Sequence, residues 1–182
     1  MESPAATPHW LASARGRGTT LTDALAMFDA LEPVTVDAMI GRWSGYGLKT
    51  GHVLDGMLEA FGWRGKQFVD AETVHPLLFA DAQGKTIAID PRRLPIRLAT
   101  RLQVQRIPGV RRAFELAQPL LCTEQPAARL RLMHYRGGVT AAMLYDGVPI
   151  HDVFRRIDDE RVLGLMDCRY FESPFFFVLE RA

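Results

Sequence analysis

The chain has 182 residues, 48% of them apolar, which is enough for one domain with a real core and too apolar for wholesale disorder. Lys+Arg 22 against Asp+Glu 21 leaves a net charge of +1, so the overall balance makes no case for a nucleic acid or an anionic membrane as partner. Cys122 and Cys168 allow at most one bridge and form no Cys-x-x-Cys pair, which leads us to expect two free thiols in a reducing, cytoplasmic setting.

Residues 1–18 are Ala/Pro/Ser-rich and read as a flexible tail without the continuous apolar run of a secretory signal. Residues 19–182 read as a single domain. Leu21, Leu25, Phe28 and Leu31 recur at helical spacing, so Thr20 to Leu31 reads as an amphipathic helix that Pro33 stops. Thr35 to Ile40 adds a short helical turn. Gly41 to Leu48 reads as a strand in which glycines surround Trp43, the pattern of backbone held close to a large indole. Gly51 to Gly62 looks helical, with Leu54, Leu58 and Phe61 on one face. Lys66–Val69, Val74–Ala80 and Thr86–Ile89 read as strands, the last two joined by a turn at Ala82-Gln83-Gly84.

Asp90 to Arg112 carries three prolines and seven arginines and reads as a long connection with one or two short helices. Five strands follow in series: Arg129–Tyr135, Val139–Tyr145, Val148–Ile157, Val162–Asp167 and Pro174–Glu180. Their connections are short and rich in turn residues, such as Arg136-Gly137-Gly138 and Asp146-Gly147, and can join only antiparallel neighbours. With the four earlier strands this makes about nine, which fits a closed up-and-down barrel with no exposed edges.

Two groups of motifs resemble a known family. Gly41-Arg42-Trp43-Ser44-Gly45, with Thr50-Gly51-His52 through Lys66, resembles the GXWXG family over residues 19–100. Tyr135-Arg136-Gly137, Met143-Leu144-Tyr145-Asp146, Pro149-Ile150-His151-Asp152 and Gly164-Leu165-Met166-Asp167 resemble the DUF4334 domain over residues 120–182. That family carries no assigned activity. Gly41-x-Trp43 ahead of a meander is also similar to the calycin superfamily, whose lipocalin-like barrels close with a late arginine or lysine over that tryptophan. The resemblance implies Gly41, Trp43 and Gly45 as structural barrel closure, with Arg181 or Arg169 as the clamp through a cation–π contact. The extended Gly41-x-Trp43-x-Gly45-x-Gly47 is similar to the nitrobindin group of haem barrels. Those bind iron through a late histidine, and neither His134 nor His151 lies in the final strand.

Several residues invite both a chemical and a structural reading. His52 and Asp55 stand three apart, as an oriented acid–base pair would, or as residues of a helix start. Lys66 beside Trp63 could be a dry, reactive amine or could lay its stem along the barrel and reach water. His75 before Pro76 could line the barrel mouth. Arg129, Arg131, Met133 and Tyr135 share one strand face, and Leu130, Leu132 and His134 the other. If the first face is inward, the arginines and Tyr135 could hold a carboxylate, as in fatty-acid-binding barrels; if outward, Leu130 and Leu132 fill the core. Asp146, Asp152 and Asp167 sit at or near strand ends, where aspartates usually serve turns, though Asp167 on its apolar strand could instead pair with one of the arginines. No metal-ligand spacing, nucleotide-binding loop or nucleophile elbow occurs.

The expectation is a mainly β, antiparallel, lipocalin-like barrel with an N-terminal helix and inserted short helices. Its expected function is binding of a small apolar or amphipathic molecule, including one that bears a carboxylate, without a cofactor. The ligand-binding candidates are Trp63, Lys66, His75, Arg129, Arg131 and Tyr135. The alternatives are a haem barrel and a cofactor-independent isomerase, cyclase or hydrolase using His52, Asp55 and Lys66.

Overall fold

The glycine–tryptophan strand forms at Gly41–Leu48 (β2), and the barrel closes on it. The computed structural model describes residues 8–182. Before β2 come helices α1 (His9–Arg17) and α2 (Leu21–Ala30), a two-residue strand β1 (Glu32–Pro33) and the turn of helix α3 (Val36–Met39). After it come α4 (Met57–Ala60), β3 (Trp63–Phe68), β4 (Val74–Ala80) and β5 (Thr86–Ala88). The insertion holds α5 (Ile96–Arg101) and α6 (Val110–Leu121). The meander is β6 (Ala128–Tyr135), β7 (Gly138–Tyr145), β8 (Ile150–Arg156), β9 (Arg161–Cys168) and β10 (Phe175–Arg181).

Eight strands, β2, β3, β4, β6, β7, β8, β9 and β10, pair in that order, and β10 returns to β2 in an antiparallel closed barrel. β1 adds to β8 and β5 to β4 outside the ring. Neither half of the chain closes alone, because β2–β5 and β6–β10 meet at two seams. One seam, β2–β10, runs in register from Trp43↔Arg181 to Leu48↔Phe176. The other, β4–β6, is tied at Val74↔Ala128, where the chain re-enters the sheet after the helical insertion.

Strand alternation sorts the side chains into two cores. On β10, Phe175, Phe177 and Leu179 pack in the lumen cluster. Phe176 and Val178 pack outside, against Leu11, Ala14, Ala24 and Phe28 of α1 and α2. This segment reads as continuously apolar because both of its faces are covered. Phe28 meets Phe176 edge-on at 6.2 Å. Thr20 caps α2, its hydroxyl accepting from the Asp23 N–H at 3.1 Å.

Three local expectations change. Residues 9–17 of the expected tail form α1, with Leu11 and Ala14 buried; residues 1–7 lie outside the described residues. The expected helix over 51–62 is reduced to α4. Before it, Asp55 Oδ2 accepts from the Thr50 and Gly51 N–H groups and His52 Nδ1 from that of Leu54, bonds that compete with helical ones. The insertion contains α6, a 12-residue helix with Pro119 in its last turns, which the residue pattern did not suggest. Its buried Gln118 donates to the Ala80 carbonyl at 2.9 Å, docking the helix on β4.

Candidate functional site

The barrel floor is sealed by Trp43. The buried indole donates to the Met39 carbonyl at 2.8 Å. The Arg181 guanidinium lies 4.3 Å from the ring centroid and donates to the carbonyls of Ala38 and Ile40. Above this plug, Phe68, Phe154 and Phe177 meet edge-on, at 5.9 Å and 6.3 Å between centroids. The glycines crowd different partners from the one their spacing suggests. A Cβ on Gly45 would sit 2.5 Å from the ring of Trp63, not Trp43, and one on Gly41 would meet Arg181.

Gly65 decides what lies above the floor. Its φ is +117°, and a Cβ there would fall 1.9 Å from the Trp43 carbonyl oxygen. Pairing of β3 with β4 shifts register on both sides of it. This bulge turns Trp63 and Lys66, three residues apart, to the same side, where a regular strand would send them to opposite faces. Both line a chamber of about 70 Å³ inside the barrel.

Lys66 Nζ makes an ion pair of 2.8 Å with Asp152 Oδ2, both side chains almost wholly buried. β3 and β8 stand four strands apart in either direction round the ring, so this pair spans the lumen like a strut. The ammonium also donates to the Pro76 carbonyl at 3.2 Å and to Tyr145 Oη at 3.4 Å, which commits all three of its hydrogens. Tyr145 Oη in turn lies 3.5 Å from Asp152 Oδ2. The rings of Phe177, Trp63 and Tyr145 surround Nζ at 5.0, 5.5 and 5.8 Å. Burial pushes the Asp152 carboxyl above the ordinary carboxylate range, against the pull of Lys66. Burial, reinforced by Asp152, holds the Tyr145 phenol well above its usual value. Two buried polar atoms at this level have no hydrogen-bond partner: Asp152 Oδ1 and Trp63 Nε1.

The chamber continues outward. Leu54, Met57, Leu58, Leu77, Tyr145 and Met166 line both it and a larger cavity of about 360 Å³. The larger cavity is roofed by α5 and α6 through residues such as Ala99, Val110 and Phe114, with Leu94 just before α5, and its lining is mostly apolar. The upper lumen is therefore a long apolar space with one polar end, the usual design of a small-molecule site.

The other candidates lie elsewhere. His52 is held at the mouth, its Nδ1 accepting from Leu54 N–H and its Nε2 lying 3.2 Å from the Ser173 carbonyl; burial lowers its pKa. Asp55 serves backbone N–H groups rather than His52, and neither residue lines a chamber. His75 is half-buried opposite Gln67 and lines neither. Arg129 pairs with Asp146 and Arg131 with Glu72, both partly exposed, while Ala128 and Leu130 of that strand lie in the lumen core. Leu132, expected in the core if the arginines faced out, is instead 60% exposed. Tyr135 lies on the outer face, donating to Asp167 Oδ2 at 3.1 Å, and burial pushes its phenol up to about 12. Asp152, expected to serve a turn, is instead mid-strand and central to the site. Its clue was an acid alternating with Ile150 and Phe154 on an inward face, a place where a carboxylate requires a partner.

Among the described residues, no group of three His, Cys, Asp or Glu could hold a metal ion. No described histidine lines either chamber, so the lumen offers haem iron no imidazole ligand. No described helix is long and apolar enough to cross a membrane.

Comparison with known proteins agrees with this architecture. Residues 26–84 match the model of the GXWXG protein family, and residues 126–181 match a domain of unknown function, DUF4334. A crystal structure of a protein from Thermomonospora curvata superposes with a TM-score of 0.69 at 31% identity, over 95% of this chain and 96% of that one. The chain belongs to the GXWXG/DUF4334 family. No functionally curated protein matches it. In this GXWXG/DUF4334 protein the two matched segments supply the two halves of one barrel, and the ion pair joins them, Lys66 from the first and Asp152 from the second.

Proposed function

We propose that this GXWXG/DUF4334 barrel binds one small, mostly apolar molecule, with its polar end against Asp152 and Trp63 and its apolar body under α5 and α6. The observation that carries this reading is the pair of adjoining chambers in the upper lumen, mostly apolar in lining, the inner one lined also by Asp152 and Trp63, each of which holds one buried, unpartnered polar atom. Those atoms specify the polar end. Asp152 Oδ1 needs a donor and Trp63 Nε1 needs an acceptor. Lys66 has no hydrogen left for an anion, and a carboxylate would sit beside Asp152. A hydroxyl both donates and accepts, so an amphipathic alcohol fits better than a fatty acid. The two unbridged thiols support a cytoplasmic location.

Calorimetric titration with 1-decanol, decanoate and decyltrimethylammonium tests the reading. The alcohol is expected to bind about tenfold more tightly than either ion, the difference that one mispaired buried group makes. Leu77→Trp, which fills the space where the two chambers join, should abolish binding. Equal or tighter binding of decanoate would overturn the hydroxyl assignment. No binding of any probe, or binding that Leu77→Trp leaves intact, would overturn the carrier reading.

A second reading, a cofactor-independent isomerase, cyclase or hydrolase, is favoured by the same trio. A carboxyl held above its ordinary range beside an amine and a phenol is a set of proton donors and acceptors. In that reading Lys66, Asp152 and Tyr145 would act on the bound molecule, and His52 and Asp55 would have no part.

A further inference from the structure

The roof of the cavity differs in charge from the rest of the protein. Residues 91–121 contain seven arginines and one acid, Glu115, a net of +6; the whole chain carries +1, so the remainder carries −5. The near-neutral total hides this asymmetry. All seven arginines are exposed. Arg92 and Arg93 pair with Asp90, and Arg111 with Glu115. Arg97, Arg101, Arg106 and Arg112 make no ion pair among the described residues; Arg97 lies 5.4 Å from the Tyr170 ring centroid.

The same roof exposes large apolar side chains. Leu98 on α5 and Leu102, its C-cap, are 56% and 57% exposed, and Leu116 and Leu120 on α6 are 76% and 78% exposed. Spacing puts each pair on one helix face, with Arg97 and Arg101 beside the first and Arg112 in line with the second. Leucines amid unpaired arginines are the composition of a helix that lies on an anionic lipid interface. Nucleic acid would use the arginines and leave the leucines without a role. A lipid surface uses both, and Leu98 and Leu102 also line the cavity beneath.

We propose that the α5–α6 roof docks on an anionic lipid surface, with the leucines entering the headgroup region and the four unpaired arginines bound to lipid phosphates or carboxylates. The test is flotation of the full chain with vesicles of phosphatidylcholine containing about 30% phosphatidylserine, against phosphatidylcholine alone. Binding to the anionic vesicles is expected to be at least tenfold tighter and to be lost in about 0.5 M salt. Arg97→Gln/Arg101→Gln/Arg106→Gln/Arg112→Gln should weaken it about a hundredfold, and Leu116→Ser/Leu120→Ser about tenfold. These positions are exposed, and an unchanged circular dichroism melt verifies that each variant folds. Lys66→Met, which lies in the lumen and not on the roof, should leave docking of the folded protein intact, so a failed ligand assignment and a failed docking surface give different results. Absence of binding to anionic vesicles at low salt, or binding indifferent to the arginine changes, would overturn the proposal. So would tighter binding to a DNA duplex that the leucine variant retains in full.

Discussion

Below the Lys66–Asp152 pair the lumen is packed; above it the lumen is open. The floor joins the Trp43 indole, the Arg181 clamp and edge-on aromatic rings, and its indole N–H is bonded to Met39. The mouth joins two chambers and ends on an indole N–H and a carboxylate oxygen with no partner. The same barrel, with the same kinds of side chain, treats a tryptophan in two ways. Where polar atoms are satisfied and space is filled, residues stabilise the fold. Where a buried donor and acceptor are left unpaired on residues that line a chamber, the proposed ligand would find its polar end.

This contrast can be broken at the floor first. Phe154→Ala should cost about 3–5 kcal/mol in urea unfolding, because it removes a ring packed against Phe68 and Phe177. Affinity of the folded fraction for 1-decanol should change little. At the boundary, Lys66→Met should cost about 3 kcal/mol, since it strands the Asp152 carboxyl. Lys66→Met/Asp152→Leu should recover most of that stability yet lose the preference for alcohol over decanoate. A double variant as unstable as the single one would show that the strut stabilises by more than its own pairing. Arg181→Ala removes a cation–π contact and two bonds to carbonyls from an exposed side chain, and should cost about 1–2 kcal/mol.

The smallest effect concerns pH at the mouth. Burial lowers the His52 pKa, opposed by Asp55 and by the Ser173 carbonyl. The unfolded chain therefore binds a proton more readily than the fold does. His52 contributes stability fully above about pH 6.5, the unfolded value, and the contribution is lost as pH falls through the lower folded value. His52→Gln should flatten the urea midpoint between about pH 7 and 5 relative to the parent. A parent midpoint that rises over the same fall in pH would contradict the burial of a neutral imidazole.

The floor was legible in the sequence and the mouth was not, for physical reasons. Gly41-x-Trp43, the serial turns and Arg181 are local signals, and strand pairing follows from short connections. Trp63 and Lys66 could be named as candidates, but simple alternation places them on opposite faces; only the Gly65 bulge brings them together. Asp152 reaches Lys66 from the opposite wall, a pairing that no local pattern encodes. The arginine pair fitted a carboxylate site by residue type, yet Arg129 and Arg131 already hold Asp146 and Glu72. The helix α6 was hidden by Pro119 and by its arginines, and it supplies half the roof.

The indole N–H signals of the three tryptophans provide the most direct test, read in a nitrogen-15 correlation spectrum during titration with 1-decanol. Trp63 Nε1 is expected to gain a hydrogen bond and its signal to move in proportion to occupancy. The Trp43 signal, already bonded to Met39, and the Trp10 signal, on α1 outside the barrel, should stay in place. A still Trp63 signal at saturating alcohol, or a Trp43 signal that moves as far, would contradict a ligand seated in the upper lumen.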